Sequence, residues 1–217
     1  VTLTGEEIKK NIEAGLIGVT PFDPVRVGAN SIDMTLADEL KVYVDREGRP
    51  LDLVYAEALH LHPQDGGYPA ENAMVRSLER RGAILDVREP PRTRRVRIPD
   101  DGIVLLPGRG YLARTAERVS TDHFVAHMHG RSSVGRLFVS VHQTAGWGDV
   151  GFAGTWTMEI TVIHPVRVYA GMAIAQLAFD KPLGERTLYG ERRGSKYQDQ
   201  REPEESRLYW DFKGQEE

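Results

Sequence analysis

The chain has 217 residues, 28 Lys and Arg against 32 Asp and Glu, and a formal net charge of −4, which argues against bulk binding of a nucleic-acid polymer while leaving room for a local basic site. It has no cysteine, so disulfides, thiolate nucleophiles and Cys-ligated zinc are excluded, and the cytoplasm is the expected compartment. Residues 1–13 lack the apolar core of a signal peptide, and no run approaches the ~18–20 apolar residues that span a bilayer.

Thr4 is placed to cap a helix with Glu6 and Glu7 in its first turn, Ile8, Ile12 and Leu16 along one face, and Gly15 and Gly18 at its end. Residues 20–24, Thr-Pro-Phe-Asp-Pro, form a turn. Residues 31–36 alternate polar and apolar, as a half-buried strand does, and residues 40–44 are a second strand. Across residues 45–100 the pattern weakens: residues 63–69 read as loop and the arginine-rich residues 88–97 as an extended edge or arm, or simply a solvated face. From Gly102 on, short strands broken by glycine and proline are expected at 103–106, 111–115, 124–128, 137–141, 155–162 and 174–179, a barrel or sandwich rhythm. After Pro182 the periodicity stops, and the tail either stays disordered or folds over a ligand.

The chemistry concentrates in residues 129–160. Arg131, Ser132, Ser133 and Arg136 offer two guanidiniums and two hydroxyls within six residues, an inventory suited to polyphosphate oxygens; an exposed turn with surface arginines is the plainer alternative. Residues 144–152 are a glycine-rich turn that is either a simple hairpin or a backbone lip bringing Asp149 near a sugar. In residues 155–162 strand alternation sends Trp156, Met158, Ile160 and Val162 to a core and leaves Glu159 as the only acid among threonines on the polar face. A carboxylate there is either a plain solvent-exposed strand residue or, beside Arg131 and Arg136, a paired carboxylate or a general acid/base. His60 with His62, and His127 with His129, each put two imidazoles on one strand face, but nothing supplies the remaining ligands of a metal centre. Lys196 offers a point charge for phosphate.

Taken together, GRSSVGRLFVSVHQTAGWGDVGFAGTWTMEI, the PFDP turn followed by SIDMTL, the GMAIAQL block at 171–177 and GSKYQDQ at 194–200 with Ser206 and Arg207 resemble the dCTP deaminase family of the trimeric dUTPase-like superfamily. The resemblance implies an all-β-dominated fold, a distorted β-barrel or jelly-roll of dUTPase-like type with short N-terminal helices and a C-terminal tail. It implies a single domain over 1–217, a poorly matched insertion at about 45–100, and a tail at about 185–212 that closes the active site. It further implies a homotrimer with active sites between subunits, and attack of water on C4 of cytosine without zinc.

Carried over residue by residue, Glu159 looks like the acid/base, Ser132 and Arg136 like groups that position the water, and the Ala145 carbonyl like its further anchor. Arg131, Ser132 and Ser133 match phosphate ligands, Asp149 the deoxyribose site, Gln176 a ligand-site glutamine, and Tyr189, Lys196 and Gln200 the closing tail. Val134, Gly135, Trp147, Thr157 and Met158 complete the substrate-contact set. Mg²⁺ is expected with the triphosphate, dCTP and dUTP as ligands, and dTTP as a candidate inhibitor. Gly148 departs from the bulky aliphatic of relatives, which is expected to loosen that turn, and His129 from an acid or other polar residue. Release of dUTP is the main expectation. HQTAGW resembles members that go on to dUMP and pyrophosphate, with Asp149 activating a second water. The rivals are a nucleotide-binding regulatory module and a metal-dependent barrel enzyme.

Overall fold

The computed structural model describes residues 1–61, 73–192 and 194–213. Helix α1 (Gly5–Glu13) starts where Thr4 Oγ1 accepts the Glu7 N–H at 3.4 Å and ends before Gly15, whose φ of 72° breaks the helical path. Strand β1 (Gly18–Thr20) and a short 3₁₀ turn (Pro24–Arg26) lead to β2 (Ile32–Tyr43). The two strands expected at 31–36 and 40–44 are thus one. Its first half pairs with a late strand and its second half with the middle of the sheet, and its partner register shifts between Leu36 and Leu40.

Helices α2 (Leu51–Leu61) and α3 (Ala73–Arg81) pack against each other through Val54, Ala58, Met74 and Leu78, a small core of their own. The sequence reading did not anticipate them, and the loop expected at 63–69 lies outside the described residues. Strand β3 (Thr93–Arg97) realises the arginine-rich edge by pairing with β2. Then follow β4 (Ile103–Leu105), β5 (Tyr111–Ser120), β6 (Val125–Gly130), helical turn α4 (Ser132–Gly135), β7 (Val139–Ser140), β8 (Trp147–Gly148), β9 (Ala153–Val162), β10 (Val166–Val168) and β11 (Ala173–Asp180). Of the strand expected at 137–141 only β7 forms, because Leu137 and Phe138 complete the turn after α4 through their N–H bonds to Val134 and Gly135.

Every strand pair is antiparallel, in the order β7-β9-β5-β2-β11-β6-β8, with β1 on β5 and β3 on β2; β10 and β4 form a separate ladder. Phe179, Ile32, Met34, Leu36, Met128, Met158, Ile160 and Leu177 are fully buried in the main core. Burying each such side chain contributes about 1.5–3 kcal/mol. Where β5 slips against both neighbours, polar groups fill the gaps. Glu117 accepts from the Thr35 N–H (2.8 Å) and hydroxyl (2.6 Å), and Thr115 Oγ1 accepts from Trp156 N (2.9 Å) while donating to Glu117 O (2.7 Å). This network fixes β9 next to its functional stretch. Among the described residues no helix is long and apolar enough to cross a membrane.

Candidate active site

Strand β9 delivers the expected alternation. Trp156, Met158, Ile160 and Val162 are buried, whereas Thr157, Glu159 and Thr161 are half-buried on the other face. Glu159 lies opposite Leu112 of β5. Its Oε2 accepts the Gln143 N–H at 3.3 Å, and the Gln143 side-chain amide donates to Glu159 O and Thr161 Oγ1, both at 3.2 Å. One glutamine therefore ties the HQTAGW loop to the acid-bearing strand.

Glu159 opens into a cavity of about 390 Å³. Thr157 and Trp156 share its β9 wall, and Ala145, Trp147, Gly148 and Asp149 form the loop wall. Of these, Thr157, Ala145, Trp147 and Asp149 are candidates carried over from the family resemblance, and Gly148 belongs to the glycine-rich lip. The tail supplies the roof with Tyr189, Tyr197, Gln200, Glu204, Glu205 and Ser206. Gln200 is seated by backbone-like bonds, accepting the Thr155 N–H at 3.0 Å and donating its amide to Thr155 O at 2.6 Å. Tyr189 packs edge-on to Phe152, and its hydroxyl accepts the N–H groups of Lys196 and Tyr197 at 3.1 Å. The described part of the tail packs along this cavity and against β9. Sequence reasoning missed Tyr43, Leu112, Phe152, Trp156, Tyr197 and the acids at 204 and 205 as wall residues. Tyr43 had a legible signal, since it alternates with Lys41 on one strand. Burial pushes its phenol up, Glu205 and Glu159 add to that, and the Ser206 backbone bond opposes it.

Gly148 does not loosen its turn. A Cβ there would sit 2.3 Å from Trp156 Cη2 and 2.6 Å from Cζ2, so the indole of β9 already fills the space that a side chain at 148 would need. We expect Gly148→Ala to destabilise the fold by about 1–3 kcal/mol, and the same change to cost under ~0.5 kcal/mol in a Trp156→Leu background. A double-mutant cycle by urea unfolding measures the coupling. Additive losses would show that the two positions do not share that space.

The phosphate-binding candidates lie elsewhere on the same chain. Arg131, Ser132, Ser133 and Gln176 line a second cavity of about 440 Å³ with Gly28, Ser31 and Asp33. Arg131 is paired to Asp33 at 2.9 Å and donates to Ala173 O at 3.3 Å, and Gln176 Oε1 accepts from Ser31 at 3.2 Å. Ser132 does not line the Glu159 cavity in one chain, and neither does Arg136, which is exposed at the end of α4 beside Gly135. Val134 and Met158 turn their side chains into the core and can offer a ligand only backbone. Lys196 is not on the cavity wall; its ammonium pairs with Asp211 at 2.6 Å. His60 lies on helix α2 rather than a strand, and His62 is outside the described residues. His127 and His129 share a face of β6 with rings 6.4 Å apart, and among the described residues no three His, Asp or Glu converge on a metal-sized site.

The family described as dCTP deaminase-like matches residues 2–72 and 67–181. The chain belongs to the dCTP deaminase-like family. It is 36% identical over 210 residues to a "dCTP deaminase, dUMP-forming" of Clostridium beijerinckii, covering 97% of this chain and 98% of that protein. A protein of the same description from Leptospira biflexa is 37% identical, with 97% of each covered. Among solved structures, the 2′-deoxycytidine 5′-triphosphate deaminase of Agrobacterium tumefaciens aligns with a TM-score of 0.53 and 18% identity over 83% of this chain. This chain spans about half of that protein (48%), and the likeness speaks to the fold. The curled antiparallel sheet is that of a dUTPase-like dCTP deaminase, and the chain is an enzyme of the hydrolase class acting on a nucleotide.

Proposed function

We propose that this enzyme converts dCTP to dUMP, ammonia and pyrophosphate in two hydrolytic steps. The observation that carries the reading is the half-buried carboxylate of Glu159, bonded to the Gln143 N–H, on the wall of the same cavity as Ala145 and Asp149. In the first step Glu159 takes a proton from water as its oxygen bonds to C4. The resulting tetrahedral carbon then loses its amino group, which leaves as ammonia after Glu159 returns the proton to nitrogen, and dUTP remains. The Ala145 carbonyl accepts a hydrogen bond from the water and fixes its approach. In the second step Asp149 takes the proton of a water that attacks phosphorus, and the P–O bond to pyrophosphate breaks. The names of the relatives at 36% and 37% identity favour this two-step course over the release of dUTP.

Because Arg131, Ser132, Ser133 and Gln176 line a different cavity from Glu159, the reading requires a second copy to bring its basic turn, with Arg136, to the Glu159 cavity. A homotrimer with sites between subunits meets that requirement. Mg²⁺ would arrive on the triphosphate, held by phosphate oxygens and neutralising charge near the leaving pyrophosphate. dTTP, which differs from dUTP by one methyl group, is the candidate competitor for the same cavity.

The test is a panel of dCTP, dCMP, CTP, dUTP and 5-substituted dCTP with Mg²⁺, scored for ammonia and pyrophosphate. Equal release of both from dCTP, with dUMP as product, is expected. Accumulation of dUTP would remove the second step, and tight nucleotide binding without ammonia would leave a regulatory module instead.

A further inference from the structure

The stretch between residues 45 and 100 ends in β3, and β3 builds half of a contact surface for the tail. Lys41 lies opposite Arg95 and Tyr43 opposite Thr93 across the β2–β3 ladder, so the four side chains share one face. All four meet residues 202–206. Lys41 Nζ is 2.9 Å from Glu205 Oε1 and 4.0 Å from Glu202 Oε2. Arg95 pairs with Glu202, the Thr93 hydroxyl donates to Glu205, and Tyr43 meets the backbone of Ser206. Between these anchors the Glu204 N–H donates to Thr157 Oγ1 at 3.1 Å, two residues from Glu159, and Glu204, Glu205 and Ser206 all line the cavity.

We propose that Lys41, Tyr43, Thr93 and Arg95 form a clasp that seats the tail over the Glu159 cavity and are positioning residues for the reaction proposed above. An isolated exposed ion pair would contribute little. This arrangement differs in that Lys41 is only 6% exposed and a lysine so buried requires partners, which the tail acids provide. Burial alone would raise the Glu205 pKa, but the Thr93 hydroxyl and Lys41 outweigh it and hold the carboxyl below its ordinary value. Glu205 therefore stays anionic while the tail is docked. The clasp rests on the functional reading for what it serves, not for whether it holds the tail.

The test compares Thr93→Val/Arg95→Met, which removes the hydroxyl and the charge, with Thr93→Ser/Arg95→Lys, which keeps both. Hydrogen exchange of the peptide containing Glu204 and Ser206 is followed by mass spectrometry on the intact chain, and ammonia release from dCTP is measured in parallel. The first variant is expected to exchange about tenfold faster in that segment and to lose about tenfold in kcat/KM, and the second to recover both to within about threefold. Unchanged exchange in the first variant would overturn the clasp, as would faster exchange with unchanged kcat/KM. Failure of the conservative pair to recover would assign the effect to general packing and overturn it too. If exchange follows the expected pattern while the parent enzyme releases no ammonia from dCTP, the tail contact stands and the proposed reaction falls.

Discussion

Glu159→Gln is expected to reduce ammonia release from dCTP by at least about 10³-fold in kcat while leaving the nucleotide dissociation constant within about threefold of the parent. The amide has nearly the shape of the carboxylate. It retains an oxygen to accept the Gln143 N–H now bonded to Oε2 at 3.3 Å, so the HQTAGW loop keeps its anchor on β9. What the amide lacks is a lone pair basic enough to take a proton from water and an acid to return it to nitrogen. Glu204 and Glu205 also line the cavity, but neither is free to substitute. Glu205 is engaged by Lys41 and Thr93, and Glu204 accepts from Arg207 at 2.8 Å. Ammonia assays beside calorimetric titration with dCTP check both halves of the expectation. A variant that deaminates at near the parent rate would remove Glu159 from the proton-transfer role. A variant that no longer binds nucleotide would show that the carboxylate holds the ligand rather than moves the proton.

Much of this site was legible because strand periodicity is local. The alternation of residues 155–162 turned Glu159 away from the core in the sequence as it does in the fold, and the glycine-rich turn beside it announced a close approach. The missing parts depend on distant neighbours. Helix α2 escaped notice because Leu51, Leu53, Val54, Tyr55, Ala58, Leu59 and Leu61 spread apolar character around the helix, while only Val54 and Ala58 are buried. Strand β2 read as two strands because Asp38 and Glu39 interrupt its apolar pattern at the point where its register shifts. Gly148 looked like a weakness in the sequence, and Trp156, eight residues later on the next strand in chain order, supplies the reason for it. The contacts of residues 41 and 95 with 202 and 205 span over a hundred residues, and no periodic pattern encodes them. The grouping of Ser132 and Arg136 with Glu159, which the resemblance implied for a site between subunits, is not made within one chain, where Ser132 lines the Asp33 cavity and Arg136 lies at the exposed end of α4.

Asp149→Asn is expected to uncouple the two products, dropping the ratio of pyrophosphate to ammonia from near one to below about 0.01 and letting dUTP accumulate. Asp149 sits where β8 ends, on the wall of the Glu159 cavity, and it also borders a second opening lined by Arg186 and Arg192. Arg192 approaches its carboxylate to 3.7 Å, and its Cα region is fixed by the Phe152 N–H bond to Asp149 O at 3.0 Å. A carboxylate fixed at the backbone and facing the cavity is placed to accept a proton from water. The amide cannot accept that proton, yet it can still hydrogen-bond a sugar hydroxyl. The ratio is the informative quantity, because a defect in binding lowers both products together while a lost base lowers only one. Pyrophosphate and ammonia that fall in step would make Asp149 a ligand for the sugar alone. Pyrophosphate that persists at parity with ammonia would move phosphorus chemistry to another residue and leave the HQTAGW loop without its proposed second task.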